Sequence, residues 1–333
     1  MPSRRIAALF LLATVAALAA PGRPGSAYRG AIVLDAGTGE VLFTDHADDA
    51  SPPASMTKLM TFAVIHDRIQ SGALSPRTPL TVTAADARVG MLRDSTSVWL
   101  KTGEVFSVED LIYAMMIQSA NDAAYLLARA SAGSVPAFVN LMNAKARALG
   151  MTNTMFRTPN GLPPPSRRIS EGDLTTPRDF ARLCRYLLLT TDIVTYTRVK
   201  SRPFGTGRRF PPTQMTNHNH LLGKIDGVDG LKTGFTNGAG FCLSATAERH
   251  NRRIIVVMMD SPDSRSRDLK VSQLIELGFS VHPFHGPVLS PDAAAPSNSG
   301  PGEAPAQNFP RQSSPAASGG GPSIQFSVPA APR

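Results

Sequence analysis

Three short motifs follow one another along the chain: Ser55-Met56-Thr57-Lys58, Ser119-Ala120-Asn121 and Lys232-Thr233-Gly234. A serine hydroxyl is a poor nucleophile at neutral pH and needs a neighbouring base. Residues three apart on a helix share a face, so Ser55 and Lys58 place an amine beside a hydroxyl. Taken together, the motifs describe a serine acyl-transfer site in which lysines, not a histidine, handle the proton and the charge. Each has a plainer reading. Ser-x-x-Lys is common on solvated helices, Ser119 and Asn121 could cap a helix, and Lys232 could be an ordinary strand-edge lysine. Three such coincidences in this order are not expected. Lys-Thr-Gly also occurs at Lys101-Thr102-Gly103. That copy precedes the Ser-Ala-Asn motif and falls in a polar turn just before Ser107, with no strand pair after it. It is assigned to a surface turn, and the third motif to Lys232.

The elements that must position these residues can be read from patterning. Two apolar runs, 31–34 and 41–43, flank a Gly-rich turn and predict a hairpin. Pro52 and Pro53 break the chain ahead of Ser55. Leu59, Met60, Phe62, Ala63 and Ile65 then give a helix apolar on nearly all sides, hence buried. Ser55 heads that helix. Ser107 and Asp110 form a capping-box variant for a helix running to about Gln118, and a second helix starts near Asp122. Ser119-Ala120-Asn121 therefore lies in a joint between helices. Residues 160–173 form a long Pro- and Gly-rich loop. Thr176, with Pro177 and Asp179 behind it, caps another helix. Residues 240–247 and 254–259 read as strands around a turn at 249–252, with Lys232 on or opening a strand beside them. A helix over about 266–277 closes the domain. Strands at both ends with helices between them give an α+β fold: an antiparallel sheet flanked by helices, with an all-helical insertion.

Bulk properties bound the rest. Arg4 and Arg5 precede an apolar run over 6–20 that is too short to span a bilayer comfortably, followed by small residues usable as cleavage sites. Residues 1–27 read as a secretory signal peptide, which makes the protein exported, to a periplasmic or other extracytoplasmic space. Residues 28–283 read as one folded domain. Residues 284–333, dominated by Pro, Ala, Ser and Gly, cannot bury enough apolar surface to offset their ordering entropy and are expected to be disordered. The formal charge of +9 is spread along the chain without an aromatic-interleaved stripe, so no nucleic-acid partner is expected. Cys184 and Cys242 read as buried apolar thiols. His218 and His220 lack a third ligand and read as surface residues, so neither a metal nor a cofactor is expected.

The motif trio is that of penicillin-binding proteins and class A β-lactamases. Residues 53–61, 118–124, 158–162, 175–179 and 230–234 together resemble the low-molecular-weight D-alanyl-D-alanine carboxypeptidases, a serine peptidase family, over about residues 28–283. The resemblance implies a β-lactamase/transpeptidase-like fold and an acyl-enzyme on Ser55. It implies Lys58 as general base, with burial lowering its pKa, and Ser119 as proton relay to the leaving D-alanine. Asn121 would hold Lys58 and a substrate amide. Lys232, Thr233 and Arg267 would bind the terminal carboxylate, Gly234 would permit close approach, and the N–H groups of Ser55 and Phe235 would form the oxyanion hole. The implied partners are a peptidoglycan pentapeptide as substrate and β-lactams as covalent inhibitors. Phe235 departs from the pattern, since a polar aromatic residue, commonly His, is expected there. The domain passes directly into the tail, which argues against stable membrane anchoring. Three rivals stand beside this reading. A β-lactamase needs a deacylating base that Glu171 is not arranged to provide. The others are an endopeptidase acting on cross-links and a non-catalytic penicillin sensor.

Overall fold

The computed structural model describes residues 28–281. The expected signal peptide (1–27) and tail (284–333) lie outside the described residues. Strands β1 (Gly30–Asp35) and β2 (Val41–Asp45) form the expected hairpin. Its turn is closed by the Asp35 carboxylate, which accepts from the backbone N–H groups of Gly37 and Thr38 at 3.0 Å each. A 3-10 turn over Ala54–Thr57 then leads into α1 (Lys58–Gln70).

The insertion follows. It contains β3 (Pro79–Thr81), α2 (Ala84–Gly90), β4 (Val105–Ser107), α3 (Val108–Ile117), α4 (Asn121–Ala132), α5 (Val135–Ala148), α6 (Pro177–Thr190), α7 (Ile193–Thr197), β5 (Ser201–Phe204) and β6 (Thr213–Thr216). It is helical in bulk and carries two short strand pairs, β3–β4 and β5–β6. The caps form as their sequences dictate. The Ser107 hydroxyl accepts from Asp110 N–H at 3.1 Å, and that of Thr176 accepts from Asp179 N–H at 3.1 Å.

The chain returns through β7 (Val228–Thr236), β8 (Gly240–Arg249), β9 (Arg252–Ser261) and α8 (Ser264–Val281). These complete a five-stranded antiparallel sheet in the order β2-β1-β9-β8-β7. Strand alternation divides the core. Ile254, Val256 and Met258 of β9 pack with Val271, Leu274 and Ile275 of α8. Ile255, Val257 and Met259 join the larger core of α1, α3, α4 and α6 on the opposite face. The sheet is therefore covered on both sides, and β7 is left as an edge beside the turn that carries Ser55.

Lys101-Thr102-Gly103 lies in a turn closed by Glu104 N–H on the Lys101 carbonyl at 3.0 Å. It is on the surface, as expected, but a strand does follow it: β4 pairs with β3. Cys184 in α6 and Cys242 in β8 are free and buried, and burial pushes both thiols up to about 12.

Candidate active site

Ser55 sits in the second position of the 3-10 turn, one residue after Ala54, whose φ is +47°. Two glycines let backbone close on this turn from opposite sides. A Cβ on Gly234 would lie 2.5 Å from the Pro53 carbonyl oxygen, and one on Gly161 would collide with the Ala54 carbonyl oxygen. Strand β7 and the 160–173 loop thus clamp the nucleophile's turn, which only residues without a side chain allow.

Lys58 opens α1 and is fully buried. Its Nζ lies 3.0 Å from Ser55 Oγ, 2.7 Å from Asn121 Oδ1 and 2.7 Å from the Asn160 carbonyl oxygen. None of these partners is a carboxylate. Burial, reinforced by the charge of Lys232, drives the Lys58 pKa well below that of an ordinary lysine. The buried carboxyls Asp173 and Asp122 oppose that shift and do not overcome it. A neutral amine within hydrogen-bond distance of a serine hydroxyl can take its proton.

Ser119 and Asn121 occupy the joint between α3 and α4. Ser119 is buried with φ +62°, a conformation that costs a non-glycine residue on the order of 1–2 kcal/mol. Such strain concentrates at functional sites. Asn121 Oδ1 accepts from Lys58 Nζ, and its Nδ2 donates to Ser95 Oγ at 3.1 Å.

Across the cleft, Lys232 of β7 is buried, and its Nζ donates to the Thr233 carbonyl at 3.0 Å. It has no carboxylate partner among the described residues. Burial first, and the charge of Arg267 second, bring its pKa down to about 7. Arg267, buried on α8, is held by Asp268 through Nε at 2.9 Å and Nη2 at 2.7 Å. A buried cation without a counterion is costly, which is the physical cause of the lowered Lys232 pKa. Phe235, next along β7, is half exposed and stacks on Phe241 with centroids 4.2 Å apart.

The structure thus brings Ser55, Lys58 and Asn121 into one hydrogen-bonded cluster, while Lys232 and Arg267 share the neighbouring cationic end. The profile of the D-alanyl-D-alanine carboxypeptidase peptidase family matches residues 19–263.

The chain belongs to this family.

D-alanyl-D-alanine carboxypeptidase DacC of Escherichia coli (strain K12) is 36% identical over 265 residues, covering 79% of this chain and 63% of that protein. The crystal structure of D-alanyl-D-alanine carboxypeptidase DacD from Francisella tularensis superposes with a TM-score of 0.71 at 27% identity, covering 76% of this chain and 70% of that one. Penicillin-binding protein D2 from Listeria monocytogenes, solved in an ampicillin-bound form, gives 0.66 at 30% identity, covering 78% of this chain and all of that one. The chain spans about 63% of the length of the curated carboxypeptidases it first matches. The fold is the penicillin-binding, transpeptidase-like one.

Several residues of this carboxypeptidase-family site escape a reading by motif. Asn160 contributes a backbone carbonyl, which has no side-chain signature. Asp173 is buried and accepts from Thr57 Oγ1 (2.8 Å), Arg157 N (2.7 Å), Thr158 N (3.0 Å) and Thr158 Oγ1 (3.0 Å). It therefore ties the Asn160 loop to the Ser55 turn. His218 is not on the outer surface. It is half-buried, and burial, with the charges of Lys232, His220, Lys58 and Arg267, brings it down to about 4. It is neutral at pH 7 and leaves the positive charge of this end to Lys232 and Arg267. His220 is exposed and pairs with Asp268 at 3.1 Å. Glu171 is bound to Ser166 Oγ at 2.5 Å and to Arg168 at 3.3 Å on the loop surface, so its carboxylate is engaged away from the nucleophile.

Proposed function

We propose that this protein is a serine-type D-Ala-D-Ala carboxypeptidase that removes the terminal D-alanine from peptidoglycan stem pentapeptides outside the cytoplasm. The observation that carries the reading is the fully buried Lys58, its Nζ 3.0 Å from Ser55 Oγ. Neutral Lys58 takes the Ser55 proton as Oγ attacks the carbonyl carbon of the penultimate D-alanine. The developing oxyanion is held by the N–H groups of Ser55 and Phe235. The C–N bond then breaks, and the proton passes through Ser119 to the departing amine, leaving an ester on Ser55. Water, deprotonated by the same amine, hydrolyses the ester and restores the hydroxyl. Lys232, Thr233 and Arg267 hold the terminal carboxylate, and Asn121 orients Lys58 and the substrate amide.

A β-lactam acylates Ser55 by the same attack, and its ester lasts because the amine freed by ring opening stays tethered to the acyl group and bars water from the carbonyl. The test is release of D-alanine from a synthetic pentapeptide ending in D-Ala-D-Ala. Stoichiometric turnover that disappears in Ser55→Ala is expected. Cleavage of cross-linked dimers without release of terminal D-alanine would replace this reading with an endopeptidase. Rapid penicillin hydrolysis would replace it with a β-lactamase.

A further inference from the structure

Asp173 is a buried acid that belongs to none of the three motifs and to no step of the proposed reaction. It stands at the end of a short ladder. Leu174 exchanges both backbone bonds with Met155, at 2.8 and 2.9 Å, and Thr175 does the same with Ser51, at 2.8 and 3.1 Å. This pairing presents the carboxyl group to two segments at once. Its Oδ1 accepts from the backbone N–H groups of Arg157 and Thr158, and its Oδ2 from the hydroxyls of Thr57 and Thr158.

Both segments lead to Lys58. Thr57 is the residue before it. On the other side, the Thr158 hydroxyl accepts from Gly161 N–H at 2.8 Å and so closes the turn that contains Asn160. The Asn160 carbonyl oxygen accepts from Lys58 Nζ at 2.7 Å. Thr61, further along α1, straps the same turn by donating to the Pro159 carbonyl at 2.6 Å. The amine is therefore held between a helix start and a loop that a single carboxyl group ties together.

The bond pattern around Asp173 is that of an anion. Backbone N–H groups only donate, so Oδ1 carries no proton. A proton on Oδ2 would have to be given to a threonine hydroxyl, and that of Thr57 has no other acceptor for its own hydrogen among the described residues. Burial pushes the carboxyl above its ordinary range, and the four donors oppose that rise. Asp173 forms no ion pair among the described residues, and its charge favours the ammonium form of Lys58. Three other groups face the amine. Lys232 on β7 acts against the ammonium form. Asp122 on α4 favours it and is engaged by the N–H groups of Val98, Leu100 and Ala123. His218, between β6 and β7, is neutral at pH 7. Around Asp173 itself, Arg157 turns its Nε to the Gly172 carbonyl at 3.3 Å, and Arg93, Asp94, Arg167 and Arg168 line the cavity that Asp173 also borders. A general base works best when its strength matches the working pH. Burial and Lys232 both weaken this amine, and a buried anion restores part of its strength.

We propose that Asp173 is a positioning residue of the reaction: through Thr57 and the 158–160 turn it holds the Lys58 amine on Ser55, and it supplies the negative charge that the partners of that amine lack. This rests on Lys58 as the base of the proposed reaction and adds a group that acts through it.

The experiment measures the rate constant for acylation of the full-length chain by benzylpenicillin across pH, read by intact-protein mass spectrometry. Asp173→Asn keeps the shape and can keep the bonds, since its oxygen accepts from the two backbone N–H groups and its amide donates to the two hydroxyls. Without the charge, Lys58 loses its proton more readily and is a weaker base. The rising limb is expected about one pH unit lower, and the plateau rate about three- to tenfold lower. Thr158→Val leaves the carboxyl group in place and cuts its strap to Gly161. Acylation is expected to slow about tenfold with the limb unmoved. An unmoved limb in Asp173→Asn, whatever its rate, overturns the proposal and leaves Ser55 and Lys58 as nucleophile and base. So does full rate in Thr158→Val, which decides alone should Asp173→Asn not fold. Absence of an adduct on Ser55 in the unaltered chain at every pH overturns the proposed reaction as well.

Discussion

The same tripeptide, Lys-Thr-Gly, occurs in two settings in this molecule. At 101–103 it forms an exposed turn, and a Cβ on Gly103 would meet nothing within 4 Å. At 232–234 it lies on the edge strand of the main sheet, with Lys232 buried and Gly234 pressed onto the turn that carries Ser55. Composition is identical, and the chemistry is not. An exposed lysine is a hydrated point charge of little consequence to a distant reaction. A buried one without a carboxylate partner among the described residues is the group that, in the proposed reading, binds the substrate carboxylate. A glycine in open solvent serves only its own positive φ, whereas Gly234 sets the distance between two parts of a site. The contrast teaches that the motif acts through the sheet edge it stands on.

That contrast can be broken most forcefully by paired substitutions. Lys232→Ala is expected to lower kcat/KM for D-alanine release by about 10²–10³-fold, the usual loss when a preorganised electrostatic group is removed. Lys101→Ala should leave it within about twofold. Equal losses, measured by steady-state kinetics, would erase the distinction between the two copies.

A smaller and more discriminating effect is expected from pH. Lys58 must be neutral to act, so activity rises as pH rises through its strongly lowered pKa. Lys232 must be charged, so kcat/KM falls as pH rises past about 7, by about tenfold per unit at the limit. A bound substrate carboxylate favours the charged form of Lys232. The falling limb of kcat should therefore lie at higher pH than that of kcat/KM. Coincident limbs, or a kcat/KM that stays level to pH 9, would remove Lys232 from the binding of the carboxylate.

Much of this was legible in the residues. The i, i+3 spacing of Ser55 and Lys58, the proline break before them and the apolar run behind them place a partly exposed serine hydroxyl beside a buried lysine at the head of a core helix. Ser107 and Thr176 announce their helices because a cap needs a hydroxyl at a fixed place. The order of β7, β8 and β9 follows from alternation and from the turn at 249–252. What was not legible has physical reasons. Strands β3 and β5 are three and four residues long and each contains a proline, which removes a ladder donor and argues against a strand. The Asn160 carbonyl that meets Lys58 is a backbone group 102 residues away, so no residue type could signal it. Asp173 reads as a loop acid until folding surrounds it with four donors. His218 reads as a surface histidine until the β6–β7 connection brings it among the cations of the site. Motifs reported the side chains that the proposed chemistry uses, and folding supplied the groups that hold them.

The decisive measurement is intact-protein mass spectrometry after brief exposure of the full-length chain to benzylpenicillin, followed by peptide mapping. One long-lived penicilloyl adduct per chain, located on Ser55, formed slowly or not at all in Lys58→Ala and absent in Ser55→Ala, is the predicted result. An adduct on another residue, or one that forms at the ordinary rate without Lys58, would contradict the assignment of a lysine-activated serine.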